Sequence, residues 1–406
     1  MKFSMRHGFA VTLLIGAFIL AACGSSGSST GTSSGSSTSA EAGAKDPVTF
    51  ALVTPLSEPG DYRSGELIQK VGELWTKQTN AAGGVDGHKV NLKVYDDQGK
   101  PAVGASDVER AITQDKASGI FGVWHSSVTV AQMNVVHRYN VPLFAFYSWA
   151  DQVTGDNLPQ VFRIGPYNSQ IAANFAPFIK QQGYKKVAVL AEDTDYGIGF
   201  AEALKKAVGT EATIDVTQFP AQSEDVTAQL SKIKTQNPDA VIIATVYAAS
   251  NLAVRQAKEV GLDAQLIAGW DYPTSADFWK TVGKAGVDII YPTFYDKSLA
   301  LTPTGQDFAK AYEAAYGSNP VIMQYFLWDT LNAQKTAIEK AKSTDPAELV
   351  KTLPSIEFEG TTGKITFANE KGTPAFNQWM GVKQFFMQLT AEGQSGEDAT
   401  LLFPKQ

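Results

Sequence analysis

Apolar positions from residue 47 onward fall into two alternating kinds of run. Short, nearly continuous ones at residues 48–53, 90–95, 120–124 and 142–146 read as buried strands, and residues 65–80, 102–118 and 128–139 between them carry apolar side chains at helical spacing. Strand and amphipathic helix in this order form the rhythm of parallel βαβ units, because parallel neighbours need a crossover long enough to return to the same edge. The rhythm restarts with strands at 186–191, 213–219, 239–245 and 265–270, interleaved with helices near Ser169, Gly199, Ser223 and Asn251. The restart predicts two α/β sheets, and a length of about 360 residues is more than one such core usually holds. No Pro/Gly/Ser-rich linker separates the halves, so short hinge strands are expected to join them. Residues 304–353 are nearly all helix, with 321–342 the longest periodic run, and these helices need a sheet to cover.

The first residues follow another pattern. Lys2 and Arg6 precede an apolar run over residues 9–20 broken only by Thr12, which matches a secretory signal peptide and is too short for a membrane span. The run closes on Leu20-Ala21-Ala22-Cys23, which resembles the lipobox of bacterial lipoproteins. The resemblance implies cleavage after residue 22 and a diacylglycerol on the Cys23 thiol. Cys23 is the single cysteine, so the exported domain would hold neither a disulfide nor a catalytic thiol. Residues 24–40 are wholly Gly, Ser, Thr and Ala and cannot bury enough apolar surface to order themselves. A tether of that kind reaches about 25 Å. The expectation is an exported protein, lipid-anchored at a bacterial cell membrane and facing periplasm or exterior, with residues 1–22 as signal and 23–46 as lipidated tether.

Charge narrows the partners. The formal net charge is −7, and loss of Lys2 and Arg6 with the signal makes it −9, which disfavours nucleic acid. Enzyme readings find little footing. His88, His125 and His137 lack metal spacing, no P-loop or G-x-G-x-x-G opens a helix, and Ser231 to Lys234 fits S-x-x-K only within a helix. The two G-x-S-x-G matches at 27–31 and 31–35 are products of tether composition. Asp96 and Asp97 alternate faces at a strand end, a turn-forming arrangement. No cofactor, metal or catalysis is expected.

The segment Asn80-Ala81-Ala82-Gly83-Gly84-Val85-Asp86-Gly87, followed by a strand ending Tyr95-Asp96-Asp97, resembles the Leu/Ile/Val-binding family of type I periplasmic solute-binding proteins. In that family's order follow Thr54-Pro55-Leu56-Ser57, residues 122–127, Phe162-Arg163, Asp193-Thr194-Asp195-Tyr196-Gly197 and residues 256–262, so the resemblance spans about 48 to 385. It implies two Rossmann-like lobes with parallel sheets joined by three hinge strands. Lobe 1 would be 47–167 plus 296–352, and lobe 2 would be 168–295 plus 353–406. It further implies a monomer that captures a small amino-acid-like solute between the lobes and delivers it to an ABC permease.

Carried over residue by residue, the resemblance places a ligand carboxylate on Ser126 and Ser127, where a helix N-terminus suits an anion. Ser148 and Trp149 stand where the amino-acid binders have Ala and Thr. Tyr196 and Tyr247 would pack on the ligand, Asp271 would meet its ammonium, and the aromatic near the first strand would be Tyr62, with Arg63 the alternative one residue on. Trp149 departs from the pattern by replacing a hydroxyl with a large ring, shifting the expected cargo from plain branched-chain amino acids toward a flatter or bulkier relative. Trp124, Tyr147, Trp270 and Tyr272 add rings at strand ends. Trp124-His125-Ser126 also resembles the urea and short-chain-amide binders, although the accompanying Tyr-Glu-Gly is replaced by Trp149-Ala150-Asp151. A sensory ligand-binding domain for a signalling partner is the further alternative.

Overall fold

The computed structural model describes residues 45–404 except 247, 248, 276 and 298. Cys23 and the tether lie outside the described residues. Two seven-stranded sheets organise the rest.

The first half builds β1 (Lys45–Thr54), β2 (His88–Asp96), β3 (Ala117–Val123), β4 (Leu143–Ala145) and β5 (Val161–Arg163), connected by α1 (Tyr62–Ala81), α2 (Pro101–Thr113), α3 (Ser126–Tyr139) and α4 (Gln152–Gly155). The second half repeats the plan with β6 (Lys186–Glu192), β7 (Thr213–Phe219), β8 (Ala240–Ala244), β9 (Gln265–Ala268) and β10 (Ile290–Thr293). Its helices are α5 (Asn168–Gln182), α6 (Asp195–Val208), α7 (Thr227–Thr235), α8 (Ala249–Glu259) and α9 (Phe278–Val282). Then come α10 (Pro303–Tyr316), α11 (Ile322–Ala341), α12 (Pro346–Thr352), and the short strands β11 (Glu357–Glu359), β12 (Lys364–Thr366), β13 (Ala368–Asn369), β14 (Phe376–Gln378), β15 (Phe385–Gln388) and β16 (Thr400–Phe403).

Strand order is β13-β14-β5-β4-β3-β1-β2 in one sheet and β16-β15-β10-β9-β8-β6-β7 in the other. In each, five consecutive strands pair in parallel and the order reverses beside the first of them. Such a reversal leaves a crevice at the strands' C-terminal ends. The central strands are apolar at nearly every position because helices cover both faces; β3 and β8 are buried throughout. On one face of the first sheet, Phe50, Phe121 and Phe144 stack at 5.0 and 5.1 Å. In the second, Phe178 stacks on Phe386 at 4.1 Å. Each fully buried ring contributes about 1.5–3 kcal/mol.

The expected helices of the third stretch find their sheet. In α11, Gln334 Nε2 donates to the Ser118 carbonyl of β3 at 2.8 Å, and Asn332 accepts from Trp75 of α1 at 2.9 Å. The Gly83-Gly84 pair does what its sequence position requires, since Gly84 has φ +89° and a Cβ there would lie 2.1 Å from the His88 carbonyl oxygen.

Two expectations need correction. The helix read over 102–118 stops at Thr113, because Lys116 takes φ 56° and the chain turns directly into β3. The tail read as wholly part of the second lobe divides: β13 and β14 extend the first sheet, with Gln378 in register with Arg163, and only β15 and β16 join the second. The chain thus passes between sheets three times, after β5, after β10 and after β14.

Candidate functional site

Four loops at the C-terminal ends of parallel strands converge between the lobes: those after β3 and β4 from the first, and after β6 and β9 from the second. Each brings rings. Trp124 stacks on Tyr147 at 5.1 Å with planes 4° apart, and meets Trp270 of the opposite lobe edge-on at 5.6 Å. Trp149 meets Tyr196, also across the cleft, at 5.6 Å, and Phe294 from the second crossover packs on Trp149 at 5.5 Å. Geometries of this kind are worth about 0.5–1.5 kcal/mol per pair beyond area burial. They form a wall that holds the lobes together.

Within it lies a cavity lined by Trp124, Ser126, Tyr147, Trp149, Tyr196, Val246 and Trp270, with about 10 Å³ of free space. That is the room of about one water molecule. Trp149 Nε1, Tyr196 Oη and Tyr272 Oη are buried without hydrogen-bond partners among the described residues. Native interiors satisfy most such groups, so a cluster of them between two lobes points to polar atoms supplied from outside the chain.

Asp271 is the charge of the site. Only 6% exposed, it accepts from Tyr147 Oη, which stands 2.9 Å from each carboxylate oxygen across the cleft. Burial pushes its carboxyl up to about 7, against the partial relief of that hydrogen bond. A second buried acid, Glu192 at the end of β6, accepts from Thr194 Oγ1 at 2.7 Å and the Val246 amide at 2.8 Å, and burial also pushes it up to about 7. Glu192 thereby ties the loop bearing Val246 to the N-cap of the helix bearing Tyr196.

The other expected residues are spread around this centre. Ser126 lines the cavity, and its Oγ accepts from the Ala150 amide at 3.2 Å. Ser148 sits behind the rings; its hydroxyl shares a hydrogen bond with Thr129 and reaches the Trp124 carbonyl at 3.0 Å. Ser127 faces a separate groove of about 770 Å³ with Asp193 and Asp195, where its Oγ accepts from the Asp195 amide at 3.1 Å. Tyr62 lines a third space of about 300 Å³ together with Trp270 and Tyr272. Beside it, Arg63 pairs with Asp277 of the other lobe at 3.0 Å. Tyr247 lies outside the described residues. Sequence reasoning missed Phe294 and Val246, because β10 is four residues long and Val246 follows a five-residue strand whose end the pattern does not mark.

Comparison with known proteins decides the family. The family model described as periplasmic binding protein matches residues 47–387. The chain belongs to the periplasmic binding protein family. A curated relative, Leu/Ile/Val-binding protein homolog 7 of Brucella abortus (strain 2308), is 27% identical over 361 residues, covering 81% of this chain and 87% of its own. Among solved structures, the leucine binding protein of Thermotoga maritima superposes with a TM-score of 0.77 at 22% identity, over 87% of this periplasmic binding protein and 97% of that chain. A solute binding protein from R. palustris in complex with benzoate gives 0.75 at 20%, over 88% and 95%. At such identities the likeness is one of fold. The family consists of non-enzymatic solute binders, and among the described residues of this periplasmic binding protein no group of acids and histidines could hold a metal and no helix is long and apolar enough to cross a membrane.

Proposed function

We propose that this protein is the capture component of an ABC importer, anchored through Cys23, which takes up a small amino-acid-like solute with a planar or bulky apolar part and delivers it to a permease. The observation that carries the reading is the Tyr147–Asp271 contact: a buried carboxylate from one lobe meets a ring wall from the other, so a solute bearing an amine bridges the lobes and favours their closure. Rings supply faces for an apolar body, and the Ser126 hydroxyl with the unpartnered Trp149 and Tyr196 donors supplies hydrogen bonds for its polar end. With about 10 Å³ inside the wall, entry requires the lobes to part and the rings to turn.

The amide reading draws on one feature, the donor set of Trp149, Tyr196 and Ser126, which suits a carbonyl oxygen as well as a carboxylate. Mass spectrometry of solute released on denaturing the purified protein, followed by thermal-shift assays with amino acids, amides, urea and small aromatic acids, separates the two. An amine-bearing solute that raises the melting temperature is the expected result. A solute without an amine, released and rebound with undiminished effect in Asp271→Ala, defeats the leading reading.

A further inference from the structure

The roomier space touching Asp271 is not among the rings but in a half-open cleft. On the hinge side of this residue lies a chamber of about 700 Å³, walled by Tyr291, Thr293 and Tyr295 of β10 and the second crossover, by Asn319 to Ile322 at the start of α11, and by Ser395 to Asp398 before β16. Asn319 Nδ2 donates to Glu397 Oε1 at 3.1 Å, which links the two sides at its open rim. Its size suits a small organic molecule, whereas the ring-lined cavity has room for about one water.

The chemistry of the lining is one-sided. Asp271, Asp296, Glu397 and Asp398 line the chamber and Lys297 is its one base. Two phenols stand among these acids, Tyr291 buried and Tyr295 half-buried. Tyr291 is nearly inaccessible, and its hydroxyl is driven above its ordinary range by burial and then by the charges of Asp271 and Asp296, so both carboxylates act within this space. Tyr295 stacks against Tyr325 at 6.3 Å, and Val321, Ile322 and Met387 add apolar surface. Asp271 is over nine-tenths buried, and Tyr147, a neutral phenol, is its one side-chain hydrogen-bond partner among the described residues. A buried carboxylate with aromatic and apolar walls gains most from a desolvated cation.

We propose that this chamber is a binding site for an organic cation, an aliphatic or aromatic amine of net positive charge, whose ammonium pairs with Asp271 from the hinge side. The inference rests on the capture reading, keeps its ammonium on Asp271, and moves the solute's body from the ring wall into this cleft. The solute needs no carboxylate, and its body extends toward β10 and α11 and away from Ser126.

Calorimetric titration of the purified protein, cleared of bound solute, with phenethylamine, phenylalanine and 3-phenylpropionate, and with isopentylamine, leucine and 4-methylpentanoate, tests it. The amine of each set is expected to bind at least tenfold more tightly than its zwitterion, with no binding of the acid. Thr293→Trp, which fills the chamber, is expected to weaken amine binding at least tenfold. Glu397→Gln with Asp398→Asn, at exposed positions that tolerate change, should weaken it about threefold and keep the native circular-dichroism spectrum. Equal or tighter binding of a zwitterion or acid overturns the proposal and leaves solute capture standing, as does amine binding that both chamber variants leave unchanged. A wild-type protein that releases no solute on denaturation and binds none of the six compounds overturns the capture reading itself.

Discussion

Two buried charges, Arg163 and Asp271, are treated in opposite ways. Arg163 ends β5 at the first crossover and is fully enclosed, with donors on every side engaged: Nε to Gln378 Oε1 at 2.6 Å, Nη1 to the Ser148 and Ala150 carbonyls at 3.0 Å, and Nη2 to Thr154 Oγ1 at 2.7 Å. It binds two crossing strands to the loop that carries Trp149. Asp271 has a single phenol. Desolvation works against both, drawing the guanidinium down to about 10 and pushing the carboxyl up to about 7. Only the first remains charged by a wide margin at neutral pH. A saturated charge organises structure, and an under-partnered one is available to bind, so the contrast separates the hinge from the candidate site.

The largest effect expected from breaking this contrast is at the saturated member. Arg163→Leu strands four buried acceptors and should cost roughly 3 kcal/mol or more in denaturant-unfolding experiments. A loss below about 1 kcal/mol would deny Arg163 its structural role. Asp271→Asn should do the reverse, leaving stability within about 1 kcal/mol of wild type while amine-bearing solutes lose about 2 kcal/mol of affinity by calorimetry. An Asp271→Asn protein that unfolds easily and binds normally would exchange the roles of the two residues.

The pH dependence sharpens the same point. Asp97, Glu192, Asp271 and Asp329 are each pushed by burial up to about 7. Folding therefore holds protons on them that the unfolded chain releases near pH 4. Their contribution to stability is present below about pH 4, declines as pH rises to about 7, and is flat above. Thermal scans should give a higher melting temperature at pH 5 than at pH 8, with a smaller difference in Asp271→Asn. Amine affinity should run the other way and strengthen up to about pH 7 as Asp271 ionises. The groups facing that carboxylate, Tyr147, Tyr196 and Tyr291, stay protonated throughout, held high by burial. A melting temperature that rises from pH 5 to pH 8 would contradict this account. The smallest expected change is in Tyr147→Phe, which removes the side-chain hydrogen bond of Asp271 among the described residues and should cost about 1 kcal/mol.

Much of the scaffold was legible because its long strands are continuous apolar runs and its helices keep a clean period. Strands of three or four residues, β5, β10 and β14, carry too few positions to show any period, and they are the ones that define the crossovers. The candidate site was legible only as a set of strand-end positions. Ser126, Trp149, Tyr196 and Asp271 do come together, because strand ends fix where loops start. Side-chain direction within those loops was not readable: Tyr147 and Trp149 point into the cleft and Ser148 between them points back to Thr129. Nor could the sequence show that the rings would fill the centre and leave the larger space on the far side of Asp271.

The split tail has a consequence for the order of events in the life of the chain. Each sheet receives its last two strands from residues 368–403, after everything else has been made. A ribosome that has delivered nine-tenths of the polypeptide has still to supply β14, the partner that completes Arg163's shell, and β15 and β16, which finish one side of the second sheet. Final locking of the fold is thereby deferred to the end of synthesis, which suits a molecule that must stay threadable until it has crossed a membrane.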